Sequence, residues 1–443
     1  MNLHSQKHYP IKTLTILLIA GFSSCIAIVK DADGDGYSSF RAEGLSLSEA
    51  APSAISYLRK YHNKNFHADD SIRRHFDDKS SPAVVSGSHP PANEKVVSLA
   101  FVGDIMWIRN GWNSFLDDSL RKHLAGYDVV IGNLETPVDT TRPFKSFLPD
   151  YSRYNSDPGL IRSFRKEDGS NIFTALSLAN NHAFDMKGEG IANTMNFLTS
   201  EGIMATGASR PGTNSPDYLT IRRNGIKIGL YTAGWGLNEP EELSRGEIEM
   251  NIIPGLAPLN EEKIDISALV KVLDAMKDDS VDFRIVYLHW GYEFEGYPDP
   301  AIIRTGRKIA AAGADLVVGT HPHLIQPWET WITDSDSCGG DRRTSLIVYS
   351  LGNFTTTMYT PECRLGMIMS LNLYRNIDSG ACEWREIEPV LVYNDPGGPG
   401  RNNRKLLLFK DYIKSEELLS PRRADRIKES LRPLTTLVVR EPE

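Results

Sequence analysis

Residues 316–326 read LVVGTHPHLIQ. Leu316, Val317 and Val318 are apolar in unbroken succession. That is the texture of a strand covered on both faces, which belongs to a sheet flanked by helices. Pro322 has no N–H to give a ladder, so the strand stops near Thr320. His321 and His323 then leave an extended segment two residues apart, a spacing that suits ligands. The same pattern elsewhere in the chain fixes the fold class, and the other strand ends decide whether these imidazoles have partners.

The texture recurs in VSLAFVGD (97–104), DVVIGNLE (128–135), IFTALSLANNH (172–182), DFRIVYLHWG (282–291) and TSLIVYSLGNF (344–354). Helical spacing lies between them at 113–124, 188–202 and 300–312. YLTIRRNGIKIGLYTAG (218–234) is a hairpin that turns at Asn224-Gly225. RLGMIMSLNLY (364–374) continues a late run of strands without helices, an antiparallel portion. No internal repeat is visible. The expected class is α/β, a sandwich of two packed sheets.

Nearly every apolar run ends in a polar group. Asp104 follows LAFVG, Asn133 and Glu135 follow VVIG, and Asn180, Asn181 and His182 follow LSLA. His289 follows IVYL, with Glu293 four residues on, and Asn353 follows IVYSLG. Ligands of open α/β sheets bind beyond the carboxyl ends of the strands. Of eleven histidines, six precede residue 95, and among the rest only His123 is away from a strand end. Imidazole, carboxylate and amide oxygen together suit Mn, Zn or Fe. No cysteine belongs to the set, which argues against a closed thiolate site. One or two divalent ions fit, two of them sharing a carboxylate, with His321 and His323 divided between them. Each residue also has a plainer reading. Asn133 and Asn353 suit turns, Asp104 and Asp185 suit helix caps, and Trp107, Trp235 and Trp290 suit packing. The joint pattern outweighs these single readings.

Composition bounds the rest. A chain of 443 residues with 40% hydrophobic content can bury a large core. Its formal net charge of −8, from 49 basic and 57 acidic residues, argues against nucleic acid as a partner. Lys7 and Lys12 precede the apolar run TLTILLIAGF and then SSC, the pattern of an export signal. Residues 1–30 are therefore expected to be a signal peptide, a lipoprotein leader with Cys25 lipidated, or an apolar anchor over 13–29. Each alternative places the bulk of the chain outside the cytoplasm, at the cell surface or in the periplasm, and the lipidated and anchored forms attach it to the membrane through its N-terminus. Cys338 and Cys363 can pair, although sequence does not fix connectivity. Residues 31–94 read as a flexible linker. Within it, DADGDGYSSF sets Asp31, Asp33 and Asp35 at alternate positions with Gly36, as in a calcium loop. Ala42 stands where the bidentate acid belongs, so a solvated acidic turn competes with calcium, and with a calcium-dependent adhesin. The main domain is expected over 95–400. The charged extension 401–443 reads as a strand and one helix.

GDIM (103–106), GNLETP (132–137), NNHAFDMKGEG (180–190), HWGYEFE (289–295), GTHPH (319–323) and YSLGNF (349–354) occur in this order. Together they resemble the CapA family of capsule and poly-γ-glutamate synthesis proteins, which is similar to the calcineurin-like metallophosphoesterases. The resemblance implies a two-sheet α/β sandwich of the metallophosphoesterase type. It also implies metal ligation by Asp104, Asn181, His289, His321 and His323, with His182 as the acid on the substrate side. Met106 stands where that superfamily has a histidine, and in place of its bridging aspartate the second motif offers Asn133 and Glu135, of which Glu135 could substitute with a longer reach. Glu293 or Asp185 is expected to orient a histidine during catalysis. Two functions follow. One is a metal-dependent hydrolase acting on a phosphoester or amide bond. The other is a non-catalytic, anchored component of a membrane synthase complex that holds an anionic polymer.

Overall fold

This computed structural model describes residues 15–21, 24–30, 37–43, 70–79, 93–106, 115–142, 153–212, 218–238, 240–256, 261–333, 343–397 and 404–438, with positions 60, 66 and 68. The chain divides into two compact units, residues 1–63 with 145–154, and residues 64–144 with 155–443. In the first, β1 (Thr15–Gly21), β2 (Ser24–Lys30) and β3 (Tyr37–Glu43) form an antiparallel sheet, with Ala20 opposite Cys25. The apolar segment expected as a leader or anchor thus carries two strands. Among the described residues no helix is long and apolar enough to cross a membrane. Asp31, Asp33 and Asp35 of the calcium-type loop lie outside the described residues, as do Trp107 and Cys338.

The second unit starts inside the stretch expected to be linker. The helix Asp70–Lys79 docks there. Phe76 is buried, its ring centroid 5.7 Å from that of Tyr349 and 6.4 Å from that of Tyr297. Full burial of a phenylalanine stabilises by about 1.5–3 kcal/mol, which anchors a helix whose composition is that of a loop. The second compact unit begins at Lys64.

The first large sheet begins with β4 (Glu94–Ile105) and adds the parallel strands β5 (Val129–Leu134), β6 (Ala175–Ser177) and β7 (Met204–Thr206). The helices Asp118–Ala125 and Lys187–Ser200 lie between them in sequence. A short strand, β8 (Ala208–Ser209), leads out. β9 (Leu219–Arg223) and β10 (Ile226–Gly234) form the expected hairpin. Its turn holds Asn224 at φ +45° and Gly225 at φ +75°, the left-handed pair that a type I′ turn requires. β11 (Glu249–Met250) pairs back onto β8.

β10 opens the second large sheet. It runs parallel to β12 (Phe283–His289), which runs parallel to β13 (Leu316–Thr320). The edge strand β14 (Trp328–Thr333) pairs antiparallel with β15 (Arg343–Val348), itself parallel to β13. The chain then returns to the first sheet. β16 (Asn353–Thr355) lies parallel beside β4, and β17 (Leu365–Asn376), β18 (Cys382–Asp395) and β19 (Lys405–Leu408) complete an antiparallel wing. The strand orders are β19-β18-β17-β4-β5-β6-β7 and β14-β15-β13-β12-β10-β9.

Each sheet turns one face to its own helices. Val102, Val130 and Leu176 pack with Leu120, Leu124 and Ile191. Val286, Val317 and Ile347 pack with Leu273, Met276 and Ile309. The other faces meet, and the Tyr287 hydroxyl of β12 donates to the Val102 carbonyl of β4 at 2.6 Å. The result is the expected two-sheet α/β sandwich. Two local expectations are corrected. The strand expected over 172–182 contracts to Ala175–Ser177. The tail holds two helices, Phe409–Leu419 and Pro421–Val438. Pro421 disfavours helical backbone at the residue before it, so the first helix stops at Leu419 and a second begins.

Candidate metal centre

Strand register assembles the site in two rows. In the first sheet, Asp104 on β4 stands beside Asn133 on β5 and Asn353 on β16. In the second, Gly234 on β10 stands beside His289 on β12, which stands beside Thr320 at the end of β13. Glycines let the backbones approach. A Cβ on Gly103 would lie 1.8 Å from the Gly352 carbonyl oxygen, where the Asp104 N–H donates at 3.0 Å.

The rows meet through hydrogen bonds. Asn133 Nδ2 donates to Asp104 Oδ1 at 2.8 Å and to His289 Nδ1 at 3.2 Å. The His321 backbone N–H donates to Asp104 Oδ2 at 3.1 Å. With Nδ1 accepting, His289 Nε2 donates to Asn181 Oδ1 at 2.7 Å. His323 Nδ1 donates to Asn353 Oδ1 at 2.9 Å, while its Nε2 lies 3.6 Å from Glu293 Oε1. His182 Nδ1 donates to Asp185 Oδ2 at 2.7 Å, which leaves Nε2 as its working nitrogen. His321 and His323 flank Pro322 at φ +97° and +56°. Side chains other than glycine pay about 1–3 kcal/mol for sparsely populated backbone regions, and such strain persists where the surroundings over-determine the geometry.

Three overlapping groups can hold a cation: Glu135 with His289 and His321, Asp104 with Glu135 and His323, and Glu293 with His321 and His323. In each, the candidate ligand atoms lie within 4.8 Å of one another. All six residues expected as ligands thus gather in one place, with Asn181 joined through His289. Glu293, expected to act in catalysis, stands beside His323 among the potential ligands. Asp185 stays with His182. Met106 is also buried, but its sulfur accepts from the Thr356 hydroxyl at 3.7 Å.

Glu135 tests whether a cation fits. It has 0% exposure, and among the described residues neither carboxylate oxygen has a hydrogen-bond partner. Its oxygens sit 3.5 Å from His289 Nε2 and 3.9 Å from His323 Nδ1. His321 Nδ1 is likewise buried without a partner. Burying a carboxylate unpaired costs several kcal/mol or more, and a cation held among these atoms removes that cost. The titration pattern agrees. Burial, then the charge of Asp104, pushes the Glu135 carboxyl well up. Burial acts upward on Asp104 too, but hydrogen bonds and attraction from His289 and His323 hold it well below the usual range. Burial lowers His289, and burial with the neighbouring imidazoles His289 and His323 lowers His321 much further. His323 is lifted despite burial, first by Glu135 and then by Asp104 and Glu293.

Asn133 and Asn353, whose single readings favoured turns, hydrogen-bond within the cluster. Their signal was present: each follows a glycine at the end of an apolar run, as Asp104 does. Thr320, 3.2 Å from His289 Nδ1, and Asn238, which accepts from Asn181 Nδ2 at 3.2 Å, had no comparable signal.

Two mixed sheets carry a buried cluster of imidazoles, carboxylates and amides at their strand ends, a donor set that could hold a metal ion. The bacterial capsule synthesis protein PGA_cap family matches residues 98–358, and the chain belongs to that family. It is similar to the capsule biosynthesis protein CapA of Bacillus anthracis, 27% identical over 274 residues, covering 59% of this chain and 60% of that protein. It is also similar to the PGA biosynthesis protein CapA of Bacillus subtilis strain 168, 25% identical over 296 residues, covering 64% and 70%. The chain thus spans well under the full length of these relatives. Among solved structures, a phosphatase of Mycoplasma pneumoniae aligns at a TM-score of 0.37 and 10% identity, covering 68% of this chain and 94% of that one.

Proposed function

We propose that this chain is a CapA-like accessory protein of poly-γ-glutamate-type capsule synthesis or export. In this reading its two-sheet domain is a metal-dependent hydrolase acting on a phosphoester or amide bond. The carrying observation is Glu135, wholly buried and without a hydrogen bond, between His289, His321 and His323. Asp104, Glu135, Asn181, His289, His321 and His323 would hold one or two divalent ions. Such an ion, when bound, supplies Lewis acidity toward a phosphoryl or carbonyl oxygen. Asn133 and Asn353 orient His289 and His323. His182, fixed through Nδ1 by Asp185, presents Nε2 to deliver a proton to the leaving group.

Metal analysis of the purified full chain tests this reading. We expect bound Mn, Zn or Fe, lost on His321→Ala, and turnover of a chromogenic phosphodiester or of polyglutamate that stops with chelator. Unchanged metal content in His321→Ala would count against the site. A second reading keeps the metal but not the turnover: a polymer-holding component of a membrane synthase complex. Met106, engaged with Thr356, favours it, because one position that the resemblance fills with imidazole is absent. Metal and polyglutamate binding without cleavage of either substrate would select it. Export belongs to the same proposal, with the chain held at the cell surface by Cys25 lipidation or an apolar anchor. Cys25→Ser should release a lipidated chain from the membrane fraction, and unchanged fractionation rules out lipidation as the attachment.

A further inference from the structure

Residues 235–238, directly after β10, have no part in the metal cluster yet touch much of it. The Trp235 N–H donates to the His289 carbonyl at 3.0 Å. The Trp235 ring centroid lies 5.6 Å from that of His321. Three residues on, the Asn238 N–H donates to the Asn181 carbonyl at 3.0 Å, and Asn238 Nδ2 stands 3.5 Å from His182 Nδ1. β10 neighbours β12, so register alone sets Trp235 at the edge that carries His289.

The Trp235 indole N–H is buried and has no acceptor among the described residues. Buried indoles usually find a partner. Trp290 does so in the same sheet, donating to the Tyr349 carbonyl at 3.1 Å. Trp328 also lacks an acceptor, but among the described residues only Trp235 combines an unmet indole donor with a ring contact to a site histidine. A half-buried aromatic platform with an unused donor, placed against a candidate ligand, suits an oxygen-rich anionic group.

We propose that Trp235 is a substrate-contacting residue, its indole N–H donating a hydrogen bond to an oxygen of the anionic group that the site takes. The proposal rests on the metal centre described above. It goes further by assigning specificity to a residue outside the ligand set.

Inorganic phosphate is the probe, titrated calorimetrically into the metal-loaded full chain, with metal content measured on the same samples. Trp235→Phe keeps an aromatic ring and removes the donor. We expect unchanged metal content and phosphate binding about ten-fold weaker, the usual scale for losing a hydrogen bond to a charged group. Equal phosphate affinity in W235F and the unaltered chain overturns the proposal while leaving the metal centre standing. Loss of metal in a folded W235F also overturns it, because the indole then serves His321 and not the substrate. An unaltered chain that takes up no metal overturns the metal centre, and this proposal with it. Should W235F fail to fold, 15N-tryptophan labelling of the unaltered chain decides. One indole resonance moves downfield on phosphate addition if the proposal holds, and none moves if it does not.

Discussion

Glu135 and Glu329 are both glutamates with 0% exposure, and their surroundings are opposite. Glu329, on β14, accepts from Arg307 Nε and Nη2, each at 2.9 Å, and from the Tyr349 hydroxyl at 2.6 Å. His75 Nε2 stands 2.6 Å from its other face. Burial acts upward on the Glu329 carboxyl, but Arg307, Tyr349 and His75 together hold it below its ordinary value. Glu135 has no hydrogen bond, and burial pushes it the other way. One buried carboxylate is neutralised by the chain's own cation and ties the N-terminal helix to the sheet. The other has no such partner among the described residues and could hold a cation from solution. The fold can satisfy such a group, and the unsatisfied one is the observation on which the proposed metal site rests.

The largest effect that can break this contrast is on Glu329. Glu329→Ala leaves Arg307 partly buried and unpaired, and should destabilise the chain by about 3–5 kcal/mol in urea unfolding. A loss below about 1 kcal/mol would show that the Glu329 network contributes little, and the contrast would dissolve. Next comes Asn353→Ala, which frees His323 from its orienting hydrogen bond. Metal affinity, read by chelator competition, should fall about 10–100-fold; unchanged affinity would remove Asn353 from the site. Glu135→Gln should behave unlike any change at Glu329. The metal-free variant should be within about 1 kcal/mol of the unaltered chain, because burial already favours the neutral carboxyl, which glutamine matches in shape and charge. The rise in melting temperature on adding metal should disappear with it. A metal-free Glu135→Gln chain that is much weaker would mean that Glu135 has a structural partner.

The smallest effect sharpens the comparison by pH. The folded-state carboxyl of Glu329 is depressed, so its contribution is present above the unfolded glutamate value of about 4.3 and is lost as pH falls through the folded value. The stability gap between the unaltered chain and Glu329→Gln should therefore be full at neutral pH and narrow below about pH 4. A gap that does not change with pH would place its origin in packing and not in charge.

The strand ends were legible because each combines two local signals, an apolar run and an abrupt polar residue. Asp104, His289 and the His321–His323 pair could be read that way, and register then brought them together. Asn133 and Asn353 were harder, since glycine-asparagine suits a turn equally well until a partner such as His323 is placed beside it. The helix Asp70–Lys79 was missed for a different reason. Phe76 is anchored by Tyr297 and Tyr349, more than 200 positions away in sequence, and no local periodicity reports such a contact. Trp235 stayed invisible because an indole after a strand reads as packing until its N–H is found without an acceptor.

The positive φ angle of His321 makes that proposed ligand exchangeable. Alanine there would keep the backbone penalty and lose the imidazole, whereas glycine relaxes the backbone and opens a gap the size of the missing ring. A His321→Gly chain is thus suited to chemical rescue, with free imidazole from the buffer occupying the gap and restoring metal uptake that His321→Ala cannot recover.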